Sequence, residues 1–321
     1  MIQPAGAPPS MSAPETPVSV ILDTDIGTDV DDCLALAFLL GSPEIRIEAI
    51  TTVYGDVALR ARICRKLLAL RGVEGIPVYA GAGNPLLGID PVYWPGHEGV
   101  GLLEPGDTFA DGPGDHAVRH AVDILIERVL GAPGHIHVLA VGPLTNIATA
   151  MAREPAFAAA IARLTIMGGL IGTHQTSTVA EHNIRCDPEA AHIVFSSGAA
   201  IELVPLDVTL RAIIDGVGVE RICAAGTPYH HAVADQVARY PPFTERGNRT
   251  YLHDPLAAAA LLKPDLLTWS DLAVRVELNG RLTRAMTVAT APDERHVATA
   301  RVALDLDRPA CEDFVLTRIA R

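Results

Sequence analysis

The sequence predicts an α/β fold in which an open, mostly parallel sheet is flanked by helices. Short runs rich in β-branched residues alternate with helix-length apolar stripes, and this alternation is typical of βαβ units. Of the 321 residues, 49% are hydrophobic, which is enough to bury a large core. Neither an internal repeat nor a linker-like change in composition divides the chain. We therefore expect a single domain over residues 18–321.

The first elements follow from local pattern. Residues 18–22, VSVIL, predict a strand, and the apolar helix after them ends at Gly41 because glycine is a common helix stop. Residues 45–53 predict the next strand, and residues 57–72 predict an amphipathic helix with a glycine at its end. The same criteria give strands at 76–81, 135–141, 164–169 and 200–206, helices at 116–131, 142–152 and 187–198, and a terminal pair of strands at 273–280 and 287–291.

One long segment interrupts this alternation, which otherwise continues to about Leu262. Residues 81–114 are rich in glycine and proline and have no clear period. Long loops in compact domains are commonly functional lids, and this one carries Trp94 and His97, so we interpret it as a lid. An open, Rossmann-like sheet binds ligands outside the carboxyl ends of its strands. Chemistry is therefore expected directly after VSVIL, ITTV, HVLAV and LTIM.

Composition excludes several classes of protein. The formal net charge of −13 argues against a nucleic-acid surface, and no apolar run reaches the ~18 residues of a membrane span. Residues 1–17 lack the basic and apolar regions of a signal peptide and form a Pro/Ala-rich tail that we expect to be disordered. The five cysteines include no CxxC pair, which favours free thiols in a reducing cytoplasm.

Acidic residues crowd the loop after the first predicted strand. Carboxylates that repel one another are costly to hold together unless a cation neutralises them, and hard oxygen ligands favour calcium or magnesium. The five carboxylates of the loop are Asp23, Asp25, Asp29, Asp31 and Asp32.

Three other interpretations of this loop compete. An EF-hand loop beginning at Asp23 requires glycine at its sixth position, where this chain has Thr28. An aspartyl-phosphate enzyme of the Asp-x-Asp-Gly-Thr type is interrupted by Ile26. A solvated acidic turn that caps a helix stays open, although the apolar helix that follows disfavours it.

Six motifs in order resemble the inosine–uridine nucleoside hydrolase family. They span residues 18 to the C-terminus, and their order makes the resemblance specific. DTDIGTDVDD is similar to the family's Asp-rich opening, VYGDVAL to its Gly-Asn motif, VGPLTNIA to its Gly-Pro-Leu-Thr-Asn motif, MGG to its Met-Gly-Gly turn, AEHNIRCDPEAA to its Ala-Glu-Phe-Asn…Asp-Pro-Glu-Ala-Ala block, and YLHDPLAAA to its His-Asp-Pro-Leu motif.

The resemblance implies a calcium-dependent enzyme that hydrolyses the N-glycosidic bond of ribonucleosides to ribose and free base. It implies that Asp25 contacts calcium and takes the proton of the attacking water, and that Asp32, Asp254 and the backbone carbonyl of Thr145 complete the protein ligands. It also implies that His253 lies beside the leaving base. Because this bond cleavage builds positive charge on the sugar, a pocket lined with carboxylates suits it.

The substrate-binding residues implied by the resemblance are Asp31, Asp56, His97, Met167, Gln175, Glu181 and Asn183. Either His253 or His97 could protonate the leaving base near neutral pH. Without the resemblance, Thr145 and Asn183 would be interpreted as turn or cap residues, and His253 as a structural histidine.

The chain departs from the family at three places. The acidic loop is two residues longer than the family's shortest form, so either Asp29 or Asp31 could hold the ribose; the phase of the next helix favours Asp31. Asp56 and Gln175 stand where the family has Asn. An ionised Asp56 would join other carboxylates around one cation, so we expect it to be protonated or turned away from the sugar.

Two other functions compete with hydrolysis. A member of the same fold that binds nucleosides or ribose without turnover would fit the changes at Asp56 and Gln175, although the carboxylate set argues against it. A nicotinamide-dependent enzyme is disfavoured because no GxGxxG follows the first strand. His253 resembles the pyrimidine-preferring or broad members of the family, and a homodimer or homotetramer is expected.

Overall fold

A computed structural model describes residues 17–88, 98–107, 109, 119–172 and 178–321. Within these ranges the strands are β1 (Val18–Thr24), β2 (Ile45–Thr52), β3 (Val78–Ala80), β4 (Ile136–Ala140), β5 (Arg163–Met167), β6 (Ile201–Val204), β7 (Ile213–Asp215), β8 (Arg249–Tyr251), β9 (Leu267–Val276), β10 (Thr287–Thr290) and β11 (Ala300–Leu306).

The helices surround these strands. They are α1 (Asp31–Leu40), α2 (Val57–Arg71), α3 (Ala121–Gly131), α4 (Thr145–Arg153), α5 (Phe157–Ala160), α6 (His182–Cys186), α7 (Pro188–Phe195), α8 (Leu206–Thr209), α9 (Gly216–Cys223), α10 (Pro228–Arg239), α11 (Pro241–Glu245), α12 (His253–Ala260) and α13 (Arg308–Ile319), with a 3-10 turn at Pro264–Leu266. No described helix is long and apolar enough to cross a membrane.

The main sheet confirms the predicted open, mostly parallel α/β fold. In the described residues its strand order is β10-β9-β11-β6-β5-β4-β1-β2-β3. The seven strands from β11 to β3 in this order are parallel, whereas the β11–β9 and β9–β10 pairs are antiparallel. The chain goes from β1 outward to β2 and β3 and then returns to place β4 on the other side of β1. Such a reversal creates a crevice at the carboxyl ends of the two central strands.

Side chains on the two faces of the sheet enter two separate cores. In β1, Val20 and Leu22 pack with α1, α2, α12 and α13, whereas Ile21 packs on the opposite face with α3, α4 and α7. All three side chains are fully buried. A strand that is covered on both faces has a nearly continuous apolar sequence, because side chains on both sides are buried; this explains the sequence VSVIL at residues 18–22.

Helix ends lie close to where glycines predicted them. α1 ends at Leu40 with Gly41 as its cap, and α2 ends at Arg71 with Gly72 in the left-handed region at φ 70°. A left-handed residue here lets the backbone N–H of Gly72 bond to the carbonyls of the last turn.

Two regions differ from the prediction. Between β6 and α12 the main sheet gains no strand; instead, β7 and β8 form a small antiparallel sheet among short helices. β9 and β10 confirm the terminal pair, but β11 inserts between β9 and β6 and is followed by α13, both unpredicted. Of the predicted N-terminal tail, all but Pro17 lies outside the described residues.

Candidate active site

A cavity of about 180 Å³ lies at the carboxyl ends of the central strands, far larger than the roughly 15 Å³ that one water needs. Asp25 follows β1, Val141 follows β4 and Met167 ends β5, so residues at the carboxyl ends of three neighbouring strands form part of its wall. Of the residues expected from the sequence, those on the wall are Asp25, Asp31, Asp32, Met167, Glu181, Asn183, His253 and Asp254.

Three carboxylates form the acidic centre of this wall. Asp31, Asp32 and Asp254 each offer an oxygen within 4.8 Å of the others, and all three are buried. The first two open α1 and the third lies in the first turn of α12, which packs against α1. Burial, followed by mutual repulsion and repulsion from neighbouring aspartates, raises the pKa of each carboxyl well above its ordinary value. A hard divalent cation would relieve this repulsion, so the donor set fits such an ion.

Asp25 lies on the same wall with one oxygen available. Its Oδ2 is buried and accepts no hydrogen bond from any donor in the described part of the chain. Behind it, a Cβ on Gly142 would come within 2.9 Å of both the backbone nitrogen and Oδ1 of Asp25. The glycine of the Gly-Pro-Leu-Thr-Asn motif therefore allows β4 and the acidic loop to approach each other closely.

Asp29 and Asp31 have different surroundings in the acidic loop. Asp29 Oδ2 accepts a 2.6 Å hydrogen bond from the hydroxyl of Tyr240, which lies between α10 and α11. Its Oδ1 accepts from the backbone N–H of Val30. Asp31, by contrast, belongs to the carboxylate cluster. Asp29 therefore has hydrogen-bond partners of its own, and the assignment of the ribose to Asp31 stays a prediction.

The side chains of Glu181 and Asn183 connect segments of the cavity wall by hydrogen bonds. The Glu181 carboxylate caps α6 and accepts from the backbone N–H groups of Gly169, Asn183 and Ile184 at 2.8–3.1 Å. The Asn183 side chain donates to the carbonyls of Val141 at 2.8 Å and Met167 at 3.1 Å. These contacts hold together the segments that follow β4 and β5.

The family model for inosine-uridine preferring nucleoside hydrolases matches residues 20–313 of the chain. The chain belongs to this family. Among similar proteins, an inosine-uridine preferring nucleoside hydrolase of Leishmania major is 34% identical over 308 residues, 92% of this chain and 96% of its own. The pyrimidine-specific ribonucleoside hydrolase RihA of Citrobacter koseri is 34% identical over 319 residues, 94% of this chain and 97% of its own.

Solved structures give the same result. A plant nucleoside hydrolase superposes with a TM-score of 0.83 at 30% identity, covering 95% of this chain and 99% of that one. The purine-preferring ribonucleoside hydrolase of Gardnerella vaginalis also has a TM-score of 0.83 at 30% identity, covering 94% and 98%. This nucleoside hydrolase therefore acts on the N-glycosyl bond of ribonucleosides, as the sequence predicted.

Thr145 has different surroundings from the other expected metal ligands, which line the cavity. It starts α4, its hydroxyl donates to Asp187 at 2.7 Å, and its carbonyl accepts from the hydroxyl of Thr149 at 2.7 Å. It is not part of the cavity wall, whereas Val141, four residues earlier, is. The motif was correctly placed beside the site, but its helical turn directs the Thr145 carbonyl along α4.

Asp56 is also absent from the wall. It is exposed at the N-terminus of α2, where its side chain accepts from the backbone N–H of Leu59 at 2.9 Å. It therefore lies outside the cavity wall, and its carboxylate has the ordinary role of a helix cap. His97 and Gln175, together with Trp94, lie outside the described residues.

His253 lies on the wall in a setting unsuited to a charged acid. Its Nδ1 is 2.7 Å from the hydroxyl of Thr209, and its ring packs on Tyr251 with centroids 5.0 Å apart. Enclosure by protein, with a smaller contribution from Arg246, lowers the pKa of His253 well below its ordinary range. Burial therefore favours the neutral form of the imidazole, and the role of His253 in protonating the base stays a prediction.

Arg60 is the most informative residue that the sequence interpretation missed. This arginine is 1% exposed, and its guanidinium donates to the carbonyls of Tyr54, Asp25 and Ile26. Since a buried loop carries backbone carbonyls that water cannot reach, Arg60 satisfies them and places a positive charge behind the carboxylates. The signal was present, because Arg60 shares the buried stripe of α2 with Cys64 and Leu67 at helical spacing.

Asn146 connects the carboxyl ends of neighbouring strands next to the acidic loop. Its amide donates to Asp23 at 2.8 Å and to the carbonyl of Thr52 at 3.1 Å, and accepts from the N–H of Ala82 at 2.9 Å. Asp23 also accepts from the Thr51 hydroxyl, and burial raises the pKa of Asp23 to about 7. Asp23 therefore belongs to this structural network and not to the carboxylate cluster.

Replacing Arg60 by lysine should destabilise the metal-free protein by about 1–3 kcal/mol, because one ammonium cannot reproduce the planar fork and a buried carbonyl loses its donor. Denaturant unfolding with calcium chelated would measure the change. Arg62→Lys, on the exposed face of the same helix, is the matched control and should unfold like wild type. Equal stabilities for the two variants would contradict this role.

Removing the Asp56 cap should affect stability and not catalysis. Asp56→Ala should lower the free energy of unfolding by about 1 kcal/mol, whereas Asp56→Asn keeps an accepting oxygen and should stay close to wild type. Both should retain kcat because the side chain is exposed outside the cavity. A large change in kcat for Asp56→Asn at any pH would show that this residue reaches the substrate.

Proposed function

We propose that this enzyme hydrolyses ribonucleosides with the help of a calcium ion, and that Asp25 is its general base. The observation that carries the proposal is the cluster of Asp31, Asp32 and Asp254 beside the available Oδ2 of Asp25, in one cavity at the strand-order reversal. The family membership supports it, since the carboxylates on the wall lie in the segments that match the family.

The ion would be held by oxygen ligands alone. Asp32 and Asp254 are the most deeply buried members of the cluster, at 3% and 2% exposure, and Asp25 adjoins Asp32. For the backbone ligand we propose the carbonyl of Val141 in place of Thr145, because Val141 lies on the wall and a carbonyl that accepts from Asn183 retains a second lone pair. All-oxygen ligation favours calcium over softer metals.

The sugar would contact the more accessible part of the wall. Asp31, the most exposed member of the cluster at 6%, is proposed to accept a ribose hydroxyl. Glu181, Asn183 and Met167 line the same cavity and would contact the ribose from the β5 side. A site with oxygens placed for two hydroxyl groups disfavours 2′-deoxyribonucleosides, which leave a buried acceptor unpaired.

Hydrolysis then follows from the positions of the carboxylates. The water oxygen bonds to the anomeric carbon while the C–N bond breaks and its electron pair leaves with the base. Asp25 Oδ2 accepts the proton of that water, and the surrounding carboxylates stabilise the positive charge that develops on the ribose ring. When bound, calcium would supply positive charge that lowers the pKa of the attacking water and orients the ribose diol.

Base preference, oligomeric state and location are proposed from the sequence. The names of the relatives differ in base preference, one being pyrimidine-specific and another purine-preferring, and for this chain we propose a pyrimidine-preferring or broad enzyme on the basis of His253. A homodimer or homotetramer and a cytoplasmic location are likewise proposed from the sequence. The alternative of a binding protein without turnover loses the support of Asp56, which is exposed away from the cavity.

Ribose release is the direct test of the proposed function. The protein should liberate reducing sugar from uridine, cytidine and inosine, lose this activity in excess chelator and regain it with calcium. Because only the folded state forms the cluster, calcium should also raise the melting temperature of the chelated protein. Deoxyuridine should be cleaved orders of magnitude more slowly than uridine. Full activity in chelator, with no change in melting temperature, would rule out the calcium site.

Asp25→Asn should lower kcat by about 100-fold or more while KM changes little, because an amide keeps an oxygen at this position but cannot accept a proton near neutral pH. Steady-state kinetics on uridine would measure both constants. Asp56→Asn is the matched control, being the same substitution at an exposed carboxylate. A kcat for Asp25→Asn within a few-fold of wild type would remove Asp25 as the base.

A further inference from the structure

We propose that His182 is a second catalytic residue, which together with Asp25 holds the attacking water. His182 opens α6 and lies on the cavity wall between Glu181 and Asn183. The sequence interpretation gave it no role, and the corresponding family motif, Ala-Glu-Phe-Asn, has phenylalanine there. The inference rests on the proposed role of Asp25.

The distance between the two side chains is the first observation. His182 Nε2 lies 3.9 Å from Asp25 Oδ2. This separation is too long for a direct hydrogen bond, which spans about 2.7–3.2 Å, but one water with two bonds of about 2.8 Å bridges it. Asp25 Oδ2 is also the buried oxygen that no donor in the described chain satisfies. The position between these atoms is therefore suited to a water.

The imidazole is held in place from several directions. Its ring meets Tyr54 edge to face, with centroids 6.2 Å apart and planes at 88°, and the Cys186 thiol lies 3.6 Å from Nε2. The backbone beneath is fixed because Glu181 caps α6. With 29% of its side chain exposed, the ring faces the cavity from a supported position.

The supports of both partners converge on Arg60. Its guanidinium donates to the carbonyl of Tyr54, which carries the ring against His182, and to the carbonyl of Asp25. Relative motion of the two groups is thereby restricted. Precise placement of a nucleophile between two fixed groups contributes to catalysis by orientation, and misplacement by about 1 Å can cost roughly 100-fold in rate.

In the attack of water on the anomeric carbon, His182 acts only as a hydrogen-bond partner and takes up no proton. The water donates one O–H to Asp25 Oδ2 and the other to a ring nitrogen of His182, which directs an oxygen lone pair at the anomeric carbon. As the C–O bond forms and the C–N bond breaks, the first proton passes to Asp25 and the electron pair leaves with the base. The second O–H becomes the hydroxyl of the released ribose.

Methanol distinguishes this arrangement from a simple contact with the substrate. It has a single O–H, so it can donate to Asp25 but has no second hydrogen for His182. The wild-type enzyme, loaded with calcium and supplied with uridine in mixed water–methanol buffer, should therefore favour ribose over 1-O-methylribose. His182→Phe, which keeps an aromatic ring for Tyr54, should raise the methylribose-to-ribose ratio several-fold. The ratio does not depend on how much of the variant is folded.

Kinetics in water supply the second readout. His182→Phe should lower kcat by about 10- to 100-fold with KM nearly unchanged, and His182→Gln, which retains a polar atom in the side chain, should recover part of the loss. His192→Phe, the same substitution at an exposed position of α7, should behave like wild type. The calcium-induced rise in melting temperature should be the same in all of these proteins.

Equal product ratios for wild type and His182→Phe would overturn the inference, as would a change confined to KM. If the wild-type enzyme is active but its methylribose-to-ribose ratio equals that of His182→Phe, only the role of His182 is overturned and the proposed function stands. Failure of the wild-type enzyme to release ribose from any nucleoside would overturn the proposed function and this inference with it.

Discussion

The repulsion among buried carboxylates is the constraint around which this molecule is arranged. Asp25, Asp31, Asp32 and Asp254 are each at most 6% exposed, and they lie along one wall. Such a cluster costs free energy in any fold unless positive charge faces it. The helices contribute in part, since α1 and α12 begin at the cluster and direct the positive ends of their dipoles toward it. Arg60 contributes from behind the loop, and a divalent ion would complete the balance.

Hydrogen bonds to backbone groups hold the acidic loop in one conformation beside the carboxylate cluster. The carbonyl of Gly27 accepts from the N–H of Glu98, those of Asp25 and Ile26 accept from Arg60, and Asn146 joins the ends of neighbouring strands. A loop buried at a sheet edge needs all of these partners, because water does not reach its peptide groups. The same bonds that satisfy the loop therefore also set the direction in which Asp25 points.

The sequence predicted features that local patterns or ordered motifs determine. Strand ends, the Gly41 and Gly72 stops and the carboxylates on the cavity wall follow from periodicity, helix stops and resemblance. That Val141 and not Thr145 lines the cavity could not be predicted, because a motif locates a segment but not the direction of each carbonyl. The lowered pKa of His253 depends on its enclosure and on Arg246, which only the folded chain brings near it. The small β7–β8 sheet was missed because short strands among short helices give no period.

The hydrogen bond from the Tyr240 hydroxyl to Asp29 ties the acidic loop to a distant part of the chain. Asp29 is thereby held at the corner between α10 and α11, while Asp31 and Asp32 lie in the carboxylate cluster. The loop and its remote partners thus form one structural unit whose members lie far apart in the sequence. A chimera that received only the loop would inherit a surplus anion and unsatisfied carbonyls; grafting it successfully requires Tyr240 and Arg60 to travel with it.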